Sequence, residues 1–152
     1  MSTAIDIVRD KLVGNSFFAI RCGDILDLRF HGFYLSAQEF RFDSDPLVLK
    51  SLTDVFPAIA AAADPSDVAA ITAVWASRGS EVVEVDLFPD NGLRITFANG
   101  LHLTLPTDTA IVDWHWGLTR DGGDPYCECI LGTFEDGQLR IDPSEQGGAQ
   151  NP

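Results

Sequence analysis

The fold is decided by a short stretch near the start of the chain, LDLRFHGFYLSA at residues 26–37. Apolar and polar residues alternate on both sides of His31 and Gly32, which is typical of two β-strands joined by a tight turn. A two-residue turn would place every apolar pair on one face, with Phe30 opposite Phe33, Leu28 opposite Leu35 and Leu26 opposite Ala37. The stretch therefore predicts a β-hairpin with one buried face.

A second region, LRITFANGLHLTL at residues 93–105, has the same pattern. A two-residue turn at Asn99 and Gly100 would put the apolar residues of its strands on opposite faces. We therefore expect a three-residue turn with Gly100 in the left-handed conformation. Since another strand precedes each hairpin, the sequence predicts two similar β-meanders, at 16–42 and 80–118. A duplicated unit explains the similarity, and two unrelated amphipathic hairpins are the alternative.

Three helices are predicted from capping residues and apolar spacing. The first begins at Ser2 or Thr3 and ends at Gly14, the second begins at Asp45 and breaks before Pro57, and the third begins at Asp64 and ends at Gly79. Val68, Ile71 and Trp75 recur at helical spacing in the third helix, and we expect this stripe to face the core.

Further strands are expected at 111–118, 126–134 and 138–141, the last two forming a hairpin. Together these patterns predict an α+β fold, with an antiparallel sheet built from the two meanders and helices on one face. The expected organisation is a single domain at 1–142 followed by a flexible tail at 143–152, because the tail is polar and contains Gly, Gln and Pro.

The charge of the chain limits its partners. Its 152 residues include 10 basic and 23 acidic side chains, for a net charge of −13. Residues 51–152 carry four basic and sixteen acidic side chains, which accounts for −12 of that charge. Such a surface repels nucleic-acid phosphates and anionic lipids and attracts basic proteins. We therefore expect a basic protein partner and no nucleic-acid or membrane binding, although acidity also serves solubility alone.

Several other features place the protein among soluble, cytoplasmic proteins. No apolar run reaches the ~18 residues of a membrane helix, and the start of the chain lacks the apolar core of a signal peptide. The three cysteines are too few for a secreted disulfide framework. Nothing in the sequence sets the oligomeric state.

The segment DWHW at 113–116 is the most unusual local sequence. In a strand, Trp114 and Trp116 share one face, while Asp113 and His115 share the other. An exposed tryptophan pair would be a natural anchor for a protein partner. The alternative is that both indoles complete the core.

The same segment raises the question of catalysis or metal binding. His115 with Asp113 and His102 would suit a small metal-dependent hydrolase, and Cys127 and Cys129, expected on one face of a strand, would suit zinc. No recognised catalytic or nucleotide-binding motif accompanies them, and we expect the cysteines to be small buried hydrophobes. We therefore predict no catalytic residues, no metal and no cofactor.

Acidic pairs lie elsewhere in the predicted sheet. Glu84 and Asp86 share a strand face, and Asp121 and Asp124 lie in a Gly-rich loop. Each pair provides far fewer oxygens than the six to eight that calcium prefers, so we interpret them as solvated charge. With Asp113 and His115 they would surround the tryptophan pair at a binding surface.

One part of the chain resembles uncharacterised small bacterial proteins, some of them suspected immunity partners of secreted toxins. This part comprises the strand ending in Phe97, the turn at Asn99 and Gly100, and the strand carrying Trp114. This resemblance implies no catalytic residue. We therefore expect a non-catalytic, acidic binding protein that neutralises a basic partner. A small hydrolase using His102, Asp113 and His115, and a small-ligand carrier with a pocket between sheet and helices, are the alternatives.

Overall fold

The structure is a computed structural model that describes residues 2–62, 64–110 and 113–147. It contains helices and two antiparallel sheets, which confirms the α+β class with antiparallel sheet. The helices are α1 (Ala4–Leu12), α2 (Asp45–Val55), α3 (Pro65–Ser77) and α4 (Pro143–Gln146), with 3₁₀ helices at Pro57–Ala61 and Glu135–Gly137. The strands are β1 (Ala19–Cys22), β2 (Leu26–Phe30), β3 (Phe33–Ala37), β4 (Arg41–Phe42), β5 (Val82–Leu87), β6 (Leu93–Phe97), β7 (His102–Leu105), β8 (Trp114–Thr119), β9 (Leu131–Phe134) and β10 (Leu139–Ile141).

The strands form a six-stranded sheet in the order β1-β2-β3-β8-β9-β10 and a four-stranded sheet in the order β4-β7-β6-β5. One cluster of buried apolar side chains contains residues of both sheets and of α1 and α3. The two sheets therefore share a single core, which accounts for the apolar face of each hairpin.

The first hairpin has the predicted register. Phe30 pairs with Phe33, Leu28 with Leu35 and Leu26 with Ala37, so His31 and Gly32 form the two-residue turn. Gly32, the second residue of the turn, has a φ of +84°, a conformation that glycine adopts without steric cost.

The second hairpin also has the predicted turn. The Phe97 N–H donates to the Leu101 carbonyl at 3.0 Å, which leaves three residues in the turn, and Gly100 has a φ of +86°. Strands β1–β3 form one antiparallel meander and β5–β7 form another, in separate sheets. Their origin by duplication stays a prediction.

Two of the predicted capping residues, Thr3 and Asp64, cap their helices, whereas Asp45 is the first residue of α2 and Ser44 before it makes no capping hydrogen bond through its side chain. The Thr3 side chain accepts a hydrogen bond from the Asp6 N–H, and the Asp6 carboxylate accepts one from the Thr3 N–H, so α1 begins with a capping box. Asp64 caps α3 through the N–H groups of Ser66 and Asp67. Helix α2 ends at Val55, as expected for the break before Pro57.

The expected core-facing stripe of α3 is wrong. Ile71 is 45% exposed and Trp75 is 59% exposed. The buried face is instead made of Ala69, Ala70, Ala73, Val74 and Ser77. Small side chains let a helix lie close to its neighbours, so this face packs inward and the larger residues are left on the solvent side.

The end of the chain differs in part from expectation. The hairpin of β9 and β10 is present, but the expected strand at 126–134 is wrong over 126–130, because the chain turns there. The Asp124 carbonyl accepts the N–H groups of Cys127 and Glu128 at 2.9 and 3.1 Å, and these bonds hold the turn. Two parts of these expectations lie outside the described residues, namely 111–112 of the expected strand at 111–118 and 148–152 of the expected tail. Within the expected tail, residues 143–146 form α4.

Candidate functional site

The two tryptophans proposed as anchors are buried. Trp114 is 6% exposed and Trp116 is fully buried, because β8 lies between β3 and β9 in the six-stranded sheet. The pairing with β9 shifts between Trp114 and Trp116, so His115 occupies a β-bulge and the simple alternation of faces is lost. The condition for a tryptophan-anchored surface, exposure of the indoles, is not met.

The acidic residues predicted to surround those tryptophans do not form one surface around them. Glu84 and Asp86 lie on β5, an edge strand of the four-stranded sheet. Asp113, Asp121 and Asp124 are exposed at the two ends of β8 in the other sheet. Asp124 is partly used within its own loop, where its carboxylate accepts the Tyr126 N–H at 2.9 Å.

The histidines of the hydrolase alternative lie on different sheets. His102 belongs to β7, and its Nδ1 is 2.9 Å from the Thr96 hydroxyl. His115 belongs to β8 and is 4% exposed. In the part of the chain that the structure describes, no three His, Cys, Asp or Glu side chains are grouped as metal ligands. The geometry therefore gives the hydrolase alternative no support.

The two late cysteines do not share a strand face, because both precede β9 in the turn. Cys127 is exposed, so it is not the buried hydrophobe expected from sequence, and Cys129 is half-buried. Burial raises the pKa of the Cys129 thiol to about 11. A thiol held in its neutral form packs as an apolar side chain and is a poor metal ligand or nucleophile.

An acidic groove lies between the β1–β2 turn and the start of α3, with a volume of about 390 Å³. Four exposed carboxylates line it, from Asp24, Glu39, Asp64 and Asp67. None of the four forms a salt bridge with a described residue. Uncompensated like charges that line one groove produce a local negative potential that attracts cations.

An apolar pocket of about 200 Å³ adjoins the acidic groove. Cys22, Leu26 and Ile71 line both, so the two form a continuous surface. Trp75 lines only the apolar pocket, and its ring lies under the Arg78 guanidinium, 4.5 Å from the ring centroid. This surface thus combines exposed apolar area with a rim of carboxylates.

The pKa of the Cys22 thiol reflects the electrostatic potential of the acidic groove. Burial and the negative charge of Asp67 both raise its pKa. A negative potential disfavours the thiolate, so the direction of the shift agrees with the excess of carboxylates.

Sequence reasoning missed this surface for a physical reason. Its acids come from three separate segments, the β1–β2 turn, the residues after β3 and the start of α3, so no local motif contains them. One signal was available in α3, where the stripe of Val68, Ile71 and Trp75 competes with a second stripe of alanines. If the stripe of alanines is assigned to the interior, Trp75 is predicted to be exposed.

Comparisons with protein-family models, with curated proteins and with solved structures found no match to this chain. Within the described residues, every helix is too short or too polar to cross a membrane.

Proposed function

We propose that this protein is a non-catalytic binding protein that docks a basic protein at the acidic groove and the adjoining apolar pocket. The observation that carries the proposal is the set of four exposed carboxylates, without a salt bridge to any described residue, beside exposed Ile71 and Trp75. This surface replaces the one centred on Trp114 and Trp116, whose indoles are buried.

A basic segment fits both parts of the surface. Lysine and arginine have apolar stems and charged ends, so a stem can lie against Ile71 and Trp75 while the charge faces the carboxylates. The Trp75 ring also contacts a cation directly, since the Arg78 guanidinium lies over it. An aromatic side chain that contacts cations and is open to solvent is typical of binding hot spots.

The resemblance to immunity proteins suggests a basic toxin as the partner. Covering the basic surface of a toxin blocks contacts that the toxin needs, and the long-range field of a chain with a net charge of −13 speeds the encounter. No reactive group is needed for this function, only complementary charge and shape.

The proposal is tested with a short peptide of alternating Lys and Leu, and a Glu-Leu peptide of equal length as the matched probe. We expect the Lys-Leu peptide alone to change the fluorescence of Trp75 and to slow alkylation of Cys22, with both effects weakening as salt rises. The groove variant D24N/E39Q/D67N should lose both effects. It leaves Asp64 in place, because that residue caps α3.

The control variant E84Q/D86N/D113N also removes three negative charges, from residues that the sequence analysis placed around the tryptophan pair. It should bind the Lys-Leu peptide as the wild type does, because those residues lie away from the acidic groove. Equal loss of binding in both variants would show attraction to net charge only. Unchanged binding in the groove variant would show that the peptide docks elsewhere. Either result contradicts the proposal.

The toxin-neutralising role has its own test, which is co-expression with a basic toxin encoded beside this gene. Growth should be rescued by the wild type and by E84Q/D86N/D113N, but not by the groove variant. Rescue by all three proteins would mean that the acidic groove is not the neutralising surface.

A further inference from the structure

Strand β1 lies at the edge of the six-stranded sheet, and its last residue, Cys22, lines the acidic groove. Among the described strands β1 pairs only with β2, and its four residues are exposed or half-buried. In an antiparallel pair, every second residue directs its N–H and C=O groups away from the neighbouring strand. No described residue forms a hydrogen bond with the backbone of β1 on that open side. The open side of β1 can therefore accept a further strand.

The other sheet edges have features that discourage strand addition. The edge strand β5 has a bulge between Val82 and Glu84, and its Val82 carbonyl accepts the Gly14 N–H at 2.9 Å. The edge strands β4 and β10 have only two and three residues. Bulges, covered ends and very short strands are common means of preventing strand addition, as are free charges. In contrast, β1 pairs with β2 without a bulge, and its one charged residue, Arg21, is paired with Asp27.

The side chains of β1 show which surface an added strand would continue. Ile20 and Cys22 line the apolar pocket together with Ile71 and Trp75 of α3. Cys22 also lines the acidic groove. Side chains alternate between the two faces of a sheet, so every second residue of an added strand would lie on this same side. Those residues would face the exposed Trp75 ring and the carboxylates of the acidic groove.

The charge of this surface selects the strand that can be added. A second copy of this chain, paired through its own β1, would bring a second set of groove carboxylates and another net charge of −13 towards the first. These like charges repel each other. A strand with Lys or Arg at every second position instead places its cations beside the carboxylates and its apolar stems against Trp75. The charges therefore favour a basic segment of another protein.

We propose that the basic partner docks by adding one extended segment as a strand along β1, with Lys or Arg at every second position. This inference rests on the proposed function, because it uses the same acidic groove and apolar pocket. Backbone hydrogen bonds to β1 supply affinity that does not depend on sequence, and the alternate basic side chains supply specificity. Since β1 has four residues, a short segment of the partner is sufficient.

Two altered forms of the alternating Lys-Leu peptide test the strand. The first has the same composition, but all its lysines precede all its leucines, so an extended chain places lysines on both faces. The second keeps the alternating sequence but is N-methylated at every backbone amide, so it has no N–H groups to donate to β1. Calorimetry should show that the alternating peptide binds at least tenfold more tightly than either altered form.

Amide hydrogen exchange, measured residue by residue with NMR, shows where the peptide pairs. The alternating peptide should slow exchange at least tenfold at every second residue of β1, where the N–H groups point away from β2. The amides of β5 are the matched control, because β5 is an edge strand of the other sheet, and their exchange should not change.

The outcomes separate strand addition from the proposed function. If the alternating peptide changes the fluorescence of Trp75 but not the exchange of β1, or if the N-methylated peptide binds equally well, the partner docks through side chains alone. The proposed function then stands and strand addition is wrong. If no peptide affects Trp75, both proposals fail. Slow exchange in β1 without peptide, increasing with protein concentration, would mean that a second copy occupies the edge and would also overturn strand addition.

Discussion

The indole Nε1 of Trp116 donates a hydrogen bond to the backbone carbonyl of Asn91 at 2.9 Å. Trp116 lies in the six-stranded sheet, and Asn91 lies in the turn that joins two strands of the four-stranded sheet. This bond therefore links the two sheets. It also explains the burial of Trp116, since an indole N–H needs a partner inside a protein.

Substitution of Trp116 by Phe removes that bond and leaves unfilled volume in the core. We expect W116F to lower the free energy of unfolding by about 1–3 kcal/mol, from a lost hydrogen bond and imperfect repacking. Chemical denaturation followed by circular dichroism measures the change. The control W75F alters an exposed residue and should stay within about 0.5 kcal/mol of the wild type. Equal effects of the two substitutions would contradict the structural difference between the indoles.

Gly132 lies where β9 approaches β8 too closely for a side chain. A Cβ at this position would be 2.9 Å from the Trp116 carbonyl oxygen and 2.9 Å from Cys129 Sγ. Since the carbonyl belongs to the backbone of a central strand, it cannot move cheaply, and we expect G132A to destabilise the fold by about 1–3 kcal/mol. G23A is the control, because a Cβ there meets nothing within 4 Å. Thermal unfolding of the two variants should differ clearly, and G132A unfolding like the control would refute the close approach.

The two hairpin registers could be predicted because each depends on local information. At the Phe30–Phe33 turn and at the Gly100 turn, only one loop length keeps the apolar residues of both strands on the same face. The arrangement of the meanders in two sheets depends instead on contacts between distant segments. The short strand β4, which pairs with β7, has no sequence pattern of its own.

The candidate sites could be predicted much less well. The sequence leaves open whether Trp114 and Trp116 belong to the core or to an interface, because alternation within one strand cannot show what covers its faces. The bulge at His115 changes those faces, and it arises from the pairing with β9 rather than from residues 113–116. Composition indicated an acidic surface, and only the fold shows which carboxylates lie together.

Cys129 should be nearly unreactive towards alkylating reagents at neutral pH. Burial raises its pKa to about 11, and the thiolate is the reactive form. Against an unfolded cysteine of pKa about 8.5, the thiolate fraction at pH 8 is lower by a factor on the order of 10². Iodoacetamide labelling followed by mass spectrometry should show slow modification in the native protein and fast modification in urea. Equal rates in both states would mean that Cys129 is not buried as described.

Asp142 should make stability depend on pH in the acid range. Hydrogen bonds from Ser144, together with Arg120, lower the pKa of its carboxyl below the usual value. A carboxyl with a lowered pKa in the folded state stabilises the protein above its unfolded pKa, about 3.9, and this contribution is lost as pH falls through the folded pKa.

Substitution of Asp142 by Asn removes the charge that Arg120 contacts at 3.2 Å while keeping an oxygen for the Ser144 N–H. D142N should therefore have a lower Tm than the wild type at pH 7, and the two Tm values should converge towards pH 2. Arg120 also contacts Glu145 at 2.8 Å, so E145Q removes a second charge that Arg120 contacts. E145Q should therefore also have a lower Tm than the wild type at pH 7. A difference between D142N and the wild type that persists unchanged at pH 2 would mean that the effect comes from packing rather than from charge.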